Sequence, residues 1–100
     1  MWALVVRFEL RDEQATRGFD ALVAETLPQI IATEPGTLVY AVHEVADAPL
    51  SRVFYEVYAD KAAFEVHEEQ AHTRRFLAER SQYLTDFRVE FLSSLTGKGV

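Results

Sequence analysis

A chain of 100 residues that is 49% apolar is one domain with a packed core, too short for two domains and too apolar for disorder. Its net charge of −6 carries no basic stripe, which excludes nucleic acid and disfavours an anionic membrane surface, and the absence of cysteine excludes disulfides and thiolate metal sites. No run approaches the roughly 20 apolar residues of a membrane span, and Met1 to Arg7 lacks the basic start of a signal peptide, so a cytoplasmic setting is expected.

Trp2 to Leu10 reads as a strand, rich in β-branched and aromatic residues and closed by the polar run Arg11 to Gln14. Asp12 suits a helix N-cap. From there Ala15, Phe19, Leu22, Val23, Leu27, Ile30 and Ile31 recur at helical spacing. Gly18 and Pro28 disturb that helix, and a bend is expected one turn before Pro28. Glu34-Pro35-Gly36 ends it, because the residue before proline leaves the α region and glycine supplies a turn.

Thr37 to Val45 predicts a second strand, Ala46 to Pro49 a loop, and Arg52 to Ala59 a third strand in an antiparallel hairpin. Asp60 caps the next helix, with Phe64, His67 and Ala71 on one face. Phe76, Leu77, Arg80, Tyr83 and Leu84 make a second helical stripe, Asp86 to Leu95 a last strand, and Thr96 to Val100 a frayed tail. The order is β-α-β-β-α-β, a ferredoxin-like α+β fold with a four-stranded antiparallel sheet and helices on one face.

Two helices cover only one face of such a sheet, and an open face should alternate cleanly between apolar and polar residues. These strands do not. Ala3 and Val5 lie opposite Leu4 and Val6, and Val53, Tyr55 and Val57 lie opposite Phe54 and Tyr58. A second apolar face predicts a homodimer, which would also relieve the thin burial of so short a chain.

His67-Glu68-Glu69-Gln70-Ala71-His72 is one residue too long for the zinc pattern His-Glu-x-x-His. On a continuous helix the two histidines would stand about 140° apart. Both face one pocket only if the helix breaks near Gln70-Ala71. Histidine suits proton transfer near neutrality, so His67 and His72 are the candidate catalytic bases, with no metal expected. Their plainer readings are a surface cap for His72 and packing beside Phe64 for His67. Tyr40, Tyr55, Tyr58, Phe64 and Phe76 are the candidate walls and hydroxyl donors of a pocket for a flat aromatic substrate. For Arg7, Glu56 and Arg88, cross-sheet pairing is the main reading and a catalytic carboxylate at Glu56 the alternative.

These residues resemble a known family. Glu34-Pro35-Gly36-Thr37-Leu38-Val39-Tyr40 is similar to the Glu-Pro-Gly-Cys-Leu-x-Tyr segment of antibiotic biosynthesis monooxygenase (ABM) domains. Phe54-Tyr55-Glu56-Val57-Tyr58, Ala62-Ala63-Phe64, His67, His72 and Phe76 resemble its third strand and second helix, and the match spans nearly the whole chain as a single ABM-like domain. The chain departs from the family at Gln70-Ala71, where Ser-Pro is frequent, and at Tyr58, where tryptophan is frequent. It resembles the haem-degrading branch less, with Arg7 and His67 at that branch's asparagine and tryptophan positions. The resemblance implies a dimeric α/β barrel and oxygenation without metal, flavin or haem. A quinol, phenol or aromatic polyketide would react with molecular oxygen, His67 or His72 acting as base and Tyr55 or Tyr58 as donor. A non-catalytic dimeric module for a small apolar ligand, and an isomerase or decarboxylase, remain open alternatives.

Overall fold

In a computed structural model describing residues 1–100, the chain forms one antiparallel sheet backed on one face by helices. The elements are β1 (Trp2–Leu10), α1 (Glu13–Thr33), β2 (Thr37–Val45), β3 (Ala48–Tyr58), α2 (Lys61–Glu69), α3 (Ala71–Glu79) and β4 (Leu84–Leu92), with a 3₁₀ turn over Arg80–Gln82. Strand order is β2-β3-β1-β4, so β1 and β3 are central. No helix is long and apolar enough to cross a membrane.

The caps arise where short acidic side chains precede helical stripes. Asp12 and Asp60 each accept a hydrogen bond from the backbone three residues on, at 2.8 Å, which satisfies donors the helix leaves orphaned. α1 runs as one helix through Pro28. Its buried face meets the even-numbered residues of β1, and Leu4, Val6, Phe8, Leu10, Phe19, Leu22, Val23, Phe54, Tyr58 and Phe76 form the core.

Three boundaries differ from the sequence expectation. The β2–β3 connection is a two-residue turn, Ala46-Asp47, rather than a loop through Pro49. Asp47 takes φ 63°, which aspartate tolerates better than most residues, and the register shifts at Glu44/Val45. Pro49 can lie inside β3 because β1 pairs only as far as Ser51, so no partner waits on that side for its missing N–H. The stripe expected to run helically to Leu84 instead leaves the α-helix after Glu79. Leu84 already pairs with Leu10, and the Arg11 amide bonds the Tyr83 carbonyl at 3.0 Å, so sheet pairing claims these residues. β4 accordingly begins and ends earlier than Asp86 to Leu95.

The register sorts side chains between faces. Tyr40, Phe54, Glu56, Tyr58, Leu4, Val6, Phe87, Val89 and Phe91 share the helix side, and Ala3, Val5, Val39, Val53, Tyr55, Val57 and Leu92 share the other. Arg7 and Arg88 stand opposite one another across β1 and β4, so they do not pair with each other, although Arg7 Nη2 donates across the sheet to Ser51 Oγ of β3 at 3.2 Å. Each instead reaches a glutamate two residues along its own strand, Glu9 at 2.5 Å and Glu90 at 2.6 Å.

Gly18 has a packing reason. A Cβ there would lie 2.5 Å from a carbon of the Tyr83 ring. Gly18→Ala should therefore lose stability, by about 1 kcal/mol or more, where helix propensity alone would gain about that amount. Urea denaturation measures the sign directly.

Candidate active site

The helix breaks where the histidine spacing requires it. Gln70 takes φ −64° and ψ 143°, an extended conformation that closes α2 and opens α3. His67 and His72, one on each side, converge on a carboxylate outside both helices. The Glu34 side chain is 1% exposed; its Oε1 lies 2.6 Å from His67 Nδ1, and its Oε2 contacts His72 Nε2. Thr37 Oγ1 donates to the same Oε1 at 2.8 Å. A buried carboxylate is tolerable only with its oxygens occupied, and these three donors occupy them.

Local chain geometry puts Glu34 there. Its own amide still bonds Ile30 of α1 at 3.1 Å, and Pro35 then turns the chain. A Cβ on Gly36 would stand 2.7 Å from the Ala63 Cβ, so only glycine lets this turn lie against the start of α2. The Glu-Pro-Gly segment is therefore both the end of α1 and the anchor of the histidines.

A second buried carboxylate, Glu56 on β3, continues the array. Tyr58 Oη donates to Glu56 Oε1 at 2.5 Å, and His67 Nε2 lies 4.0 Å from that oxygen. The polar groups thus run His72, Glu34, His67, Glu56, Tyr58. Burial pushes the Glu56 carboxyl up to about 7, against the opposing effect of the Tyr58 hydrogen bond and with a further push from Glu68. Burial, then the neighbouring Glu56 charge, raises the hydroxyls of Tyr40 and Tyr58. Glu56 is consequently poised to hold or give up a proton near neutrality.

Between this array and the sheet lies a cavity of about 180 Å³. His67 and Glu56 line it, with Tyr40, Phe64 and Phe76 among its walls and Leu4, Val6, Phe8 and Phe54 beneath. Thr73, 3% exposed, also faces it, and its hydroxyl has no hydrogen-bond partner. A larger open groove of about 850 Å³ lies between the start of α1 and the β2–β3 turn. Charged surface residues line it and neither histidine reaches it, so it is a surface feature rather than this site.

The candidate residues divide accordingly. His67, Tyr40, Phe64 and Phe76 meet at the cavity. His72 reaches it only through Glu34, and Tyr58 lies below it, bound to Glu56 and packed on His67 with ring centroids 5.3 Å apart. Tyr55 does not belong to the cavity. It projects from the opposite face of β3 beside Met1, Ala3 and Leu92, because neighbouring residues on a strand point to opposite sides. Sequence reasoning missed Glu34, Thr73 and Arg80, and gave Glu56 only its secondary reading. The alternation that groups Glu56 with Phe54 and Tyr58 was the available signal. No group of three or more His, Asp or Glu side chains is arranged to hold a metal ion.

The comparisons with known proteins agree with this architecture. Residues 1–79 match the antibiotic biosynthesis monooxygenase family. Among solved structures, Rv0793 from Mycobacterium tuberculosis superposes with a TM-score of 0.86 at 25% identity, covering 98% of each chain. A proposed antibiotic biosynthesis monooxygenase from Nitrosomonas europaea gives 0.86 at 22% identity, over 96% of this chain and 100% of its own. A similarly named protein from Bacteroides thetaiotaomicron gives 0.86 at 20%, over 97% and 91%. No curated protein matches the sequence. The fold is thus of the ferredoxin-like α+β class, with an acid–base array beside an aromatic cavity. The chain belongs to the antibiotic biosynthesis monooxygenase family.

The Glu56 carboxyl makes a pH prediction. In the unfolded chain it titrates near 4.5 and in the folded chain near 7, so between those values only the native state keeps the proton. Unfolding then releases a proton, and this group's contribution makes stability fall as pH rises from 4.5 to 7. Glu56→Gln, which cannot ionise, should flatten that part of the profile and gain most over wild type above pH 7. Thermal melts of both proteins across pH 4–8 check it.

Proposed function

We propose that the chain is a cofactor-independent monooxygenase that oxidises an electron-rich aromatic, a quinol, phenol or small aromatic polyketide, with molecular oxygen. The observation that carries this reading is the placement of His67: Nδ1 bonded to the buried Glu34, and the ring lining an aromatic cavity beside a carboxyl that titrates near 7. With Nδ1–H donating to Glu34, Nε2 is left as the proton acceptor. The carboxylate orients the imidazole, the logic of an acid–histidine dyad.

In the proposed reaction His67 Nε2 takes the phenolic proton. The phenolate, now a strong reductant, passes one electron to O₂, and the resulting radical pair joins to form a C–O bond. The hydroperoxide then loses water as the hydrogen on the oxygenated carbon leaves, giving a quinone. Phenol and O₂ thus give quinone and water, with one oxygen atom in each product and no outside reductant. Glu56 is placed to return a proton to the departing hydroxide, and apolar walls favour the reaction by excluding competing solvent. The volume lies below the roughly 300–1,000 Å³ of drug-sized pockets, which suits one or two fused rings.

Oxygen uptake with a panel of hydroquinones, naphthols and naphthohydroquinones tests the proposal. Uptake should exceed the uncatalysed rate for at least one of them. His67→Ala should lower kcat by about 10²–10⁴, the usual worth of a general base, and His72→Ala by less, since His72 acts through Glu34. No enzyme-dependent uptake on any quinol would leave proton transfer alone, as in an isomerase, or binding without turnover.

The same reading includes a homodimer. Its support is the uncovered sheet face, where Val5, Val53 and Tyr55 are only half-buried and Val39 and Leu92 are 39% and 42% exposed. Contiguous apolar area of this kind is unusual on a free monomer. Tyr55→Glu should yield a monomer in sedimentation equilibrium while leaving the cavity side chains in place; a wild-type protein that sediments as a monomer would exclude the dimer.

A further inference from the structure

His67 and Glu56, 4.0 Å apart, stand together at one end of the cavity. Along β1 the cavity floor runs from Leu4 through Val6 to Phe8. Leu4 pairs with Glu56, which marks the acid–base end, whereas Phe8 pairs with Phe87 of β4. Four residues of strand separate the two levels by about 13 Å.

At the far end sits Arg80, half-buried, which also lines the cavity. Its guanidinium lies over two aromatic rings, 4.6 Å from the centroid of Phe87 and 5.6 Å from that of Phe8. It forms no ion pair and no side-chain hydrogen bond, and the cavity carboxylates Glu68 and Glu56 act on its charge only at longer range. An arginine carries five donors on a rigid fork suited to a carboxylate. Those donors, held by two rings at a cavity end, await an acceptor that the chain does not supply. The buried, unpartnered hydroxyl of Thr73 marks the opposite end, adjacent to His72 on α3. From Thr73 to Arg80 is two helical turns, about 10 Å, so helix and strand give the slot a similar length.

We propose that Arg80 is an anion subsite, and that the substrate is an aromatic hydroxy acid: its phenolic oxygen lies at His67 and Thr73 and its carboxylate about 10 Å away at Arg80. The inference rests on the reading of the cavity as a substrate site and narrows the substrate class. The intervening walls, Val6, Phe54, Phe76 and Val89, are apolar and suit the flat ring system joining the two oxygen groups. A carboxylate carried there also has a second use, since it fixes which hydroxyl meets the base.

Calorimetric titration with 6-hydroxy-2-naphthoate and with its methyl ester tests this, the two probes differing in charge but little in shape. Wild-type protein should bind the acid about tenfold or more tighter than the ester. Arg80→Gln should erase that preference while changing ester affinity by less than about twofold, and Arg80→Lys should retain part of it. Equal affinities in the wild type, binding of neither probe, or an Arg80→Gln variant that weakens both alike would overturn the anion subsite; the last result would make Arg80 merely a wall. Oxygen uptake on neutral quinols without any preference for the acid would overturn this inference alone. The charge preference without uptake on any quinol would overturn the monooxygenase reading alone.

Discussion

The architecture of the site depends on the buried carboxylate of Glu34. It joins three elements that share no continuous backbone hydrogen bonding at this point: the end of α1, the end of α2 and the start of α3. Desolvating a carboxylate costs several kcal/mol unless donors meet it, and here two imidazoles and a threonine hydroxyl do. The arrangement works in both directions. The histidines make the carboxylate tolerable inside, and the carboxylate fixes which ring nitrogen of His67 points onward to the cavity. It also supplies a reason for the break at Gln70, since a helix continued through that residue would swing one imidazole away from Glu34.

From that anchor the chemistry spreads along a line rather than around a shell. His67 is the only group that touches both carboxylates, one as a direct hydrogen-bond partner and the other at 4.0 Å. The two carboxylates therefore sit in different settings. Glu34 is saturated with donors, whereas Glu56 has Tyr58 on one oxygen and burial raising its affinity for a proton. On the proposed reading, Glu34 orients the base and Glu56 carries a proton.

Much of this was legible in the sequence, and the limits have physical causes. The five-residue spacing of His67 and His72 is incompatible with one continuous helical face, which is why the break could be placed at Gln70-Ala71 before any coordinates. Strand alternation also held, and applying it consistently would have separated Tyr55 from Phe54 and Tyr58 and brought Glu56 in with them. Glu34 was beyond such reasoning. Its segment announced a turn, but the burial of its carboxylate follows from the packing of Gly36 on Ala63 and from histidines 33 and 38 residues further on. Local pattern carries no information about contacts at that separation. The shift of β4 to Leu84 has the same origin, since pairing with Leu10 overrode a stripe that was helical in its own right.

The edge strand ties chemistry and assembly together. On its helix side β4 presents Phe87 and Phe91, 46% and 59% exposed, and Val89 and Phe91 close the cavity there. On its other side Leu92 continues the half-covered apolar face that carries Tyr55. One apolar partner surface wrapped around this edge would cover both sets of side chains, whereas a partner laid flat on the open face would leave the cavity wall wet. A phenolate that reduces O₂ needs its radical intermediate kept from solvent. The proposed chemistry therefore favours the wrapped arrangement, in which a partner of the proposed dimer would cover the half-wet aromatic wall.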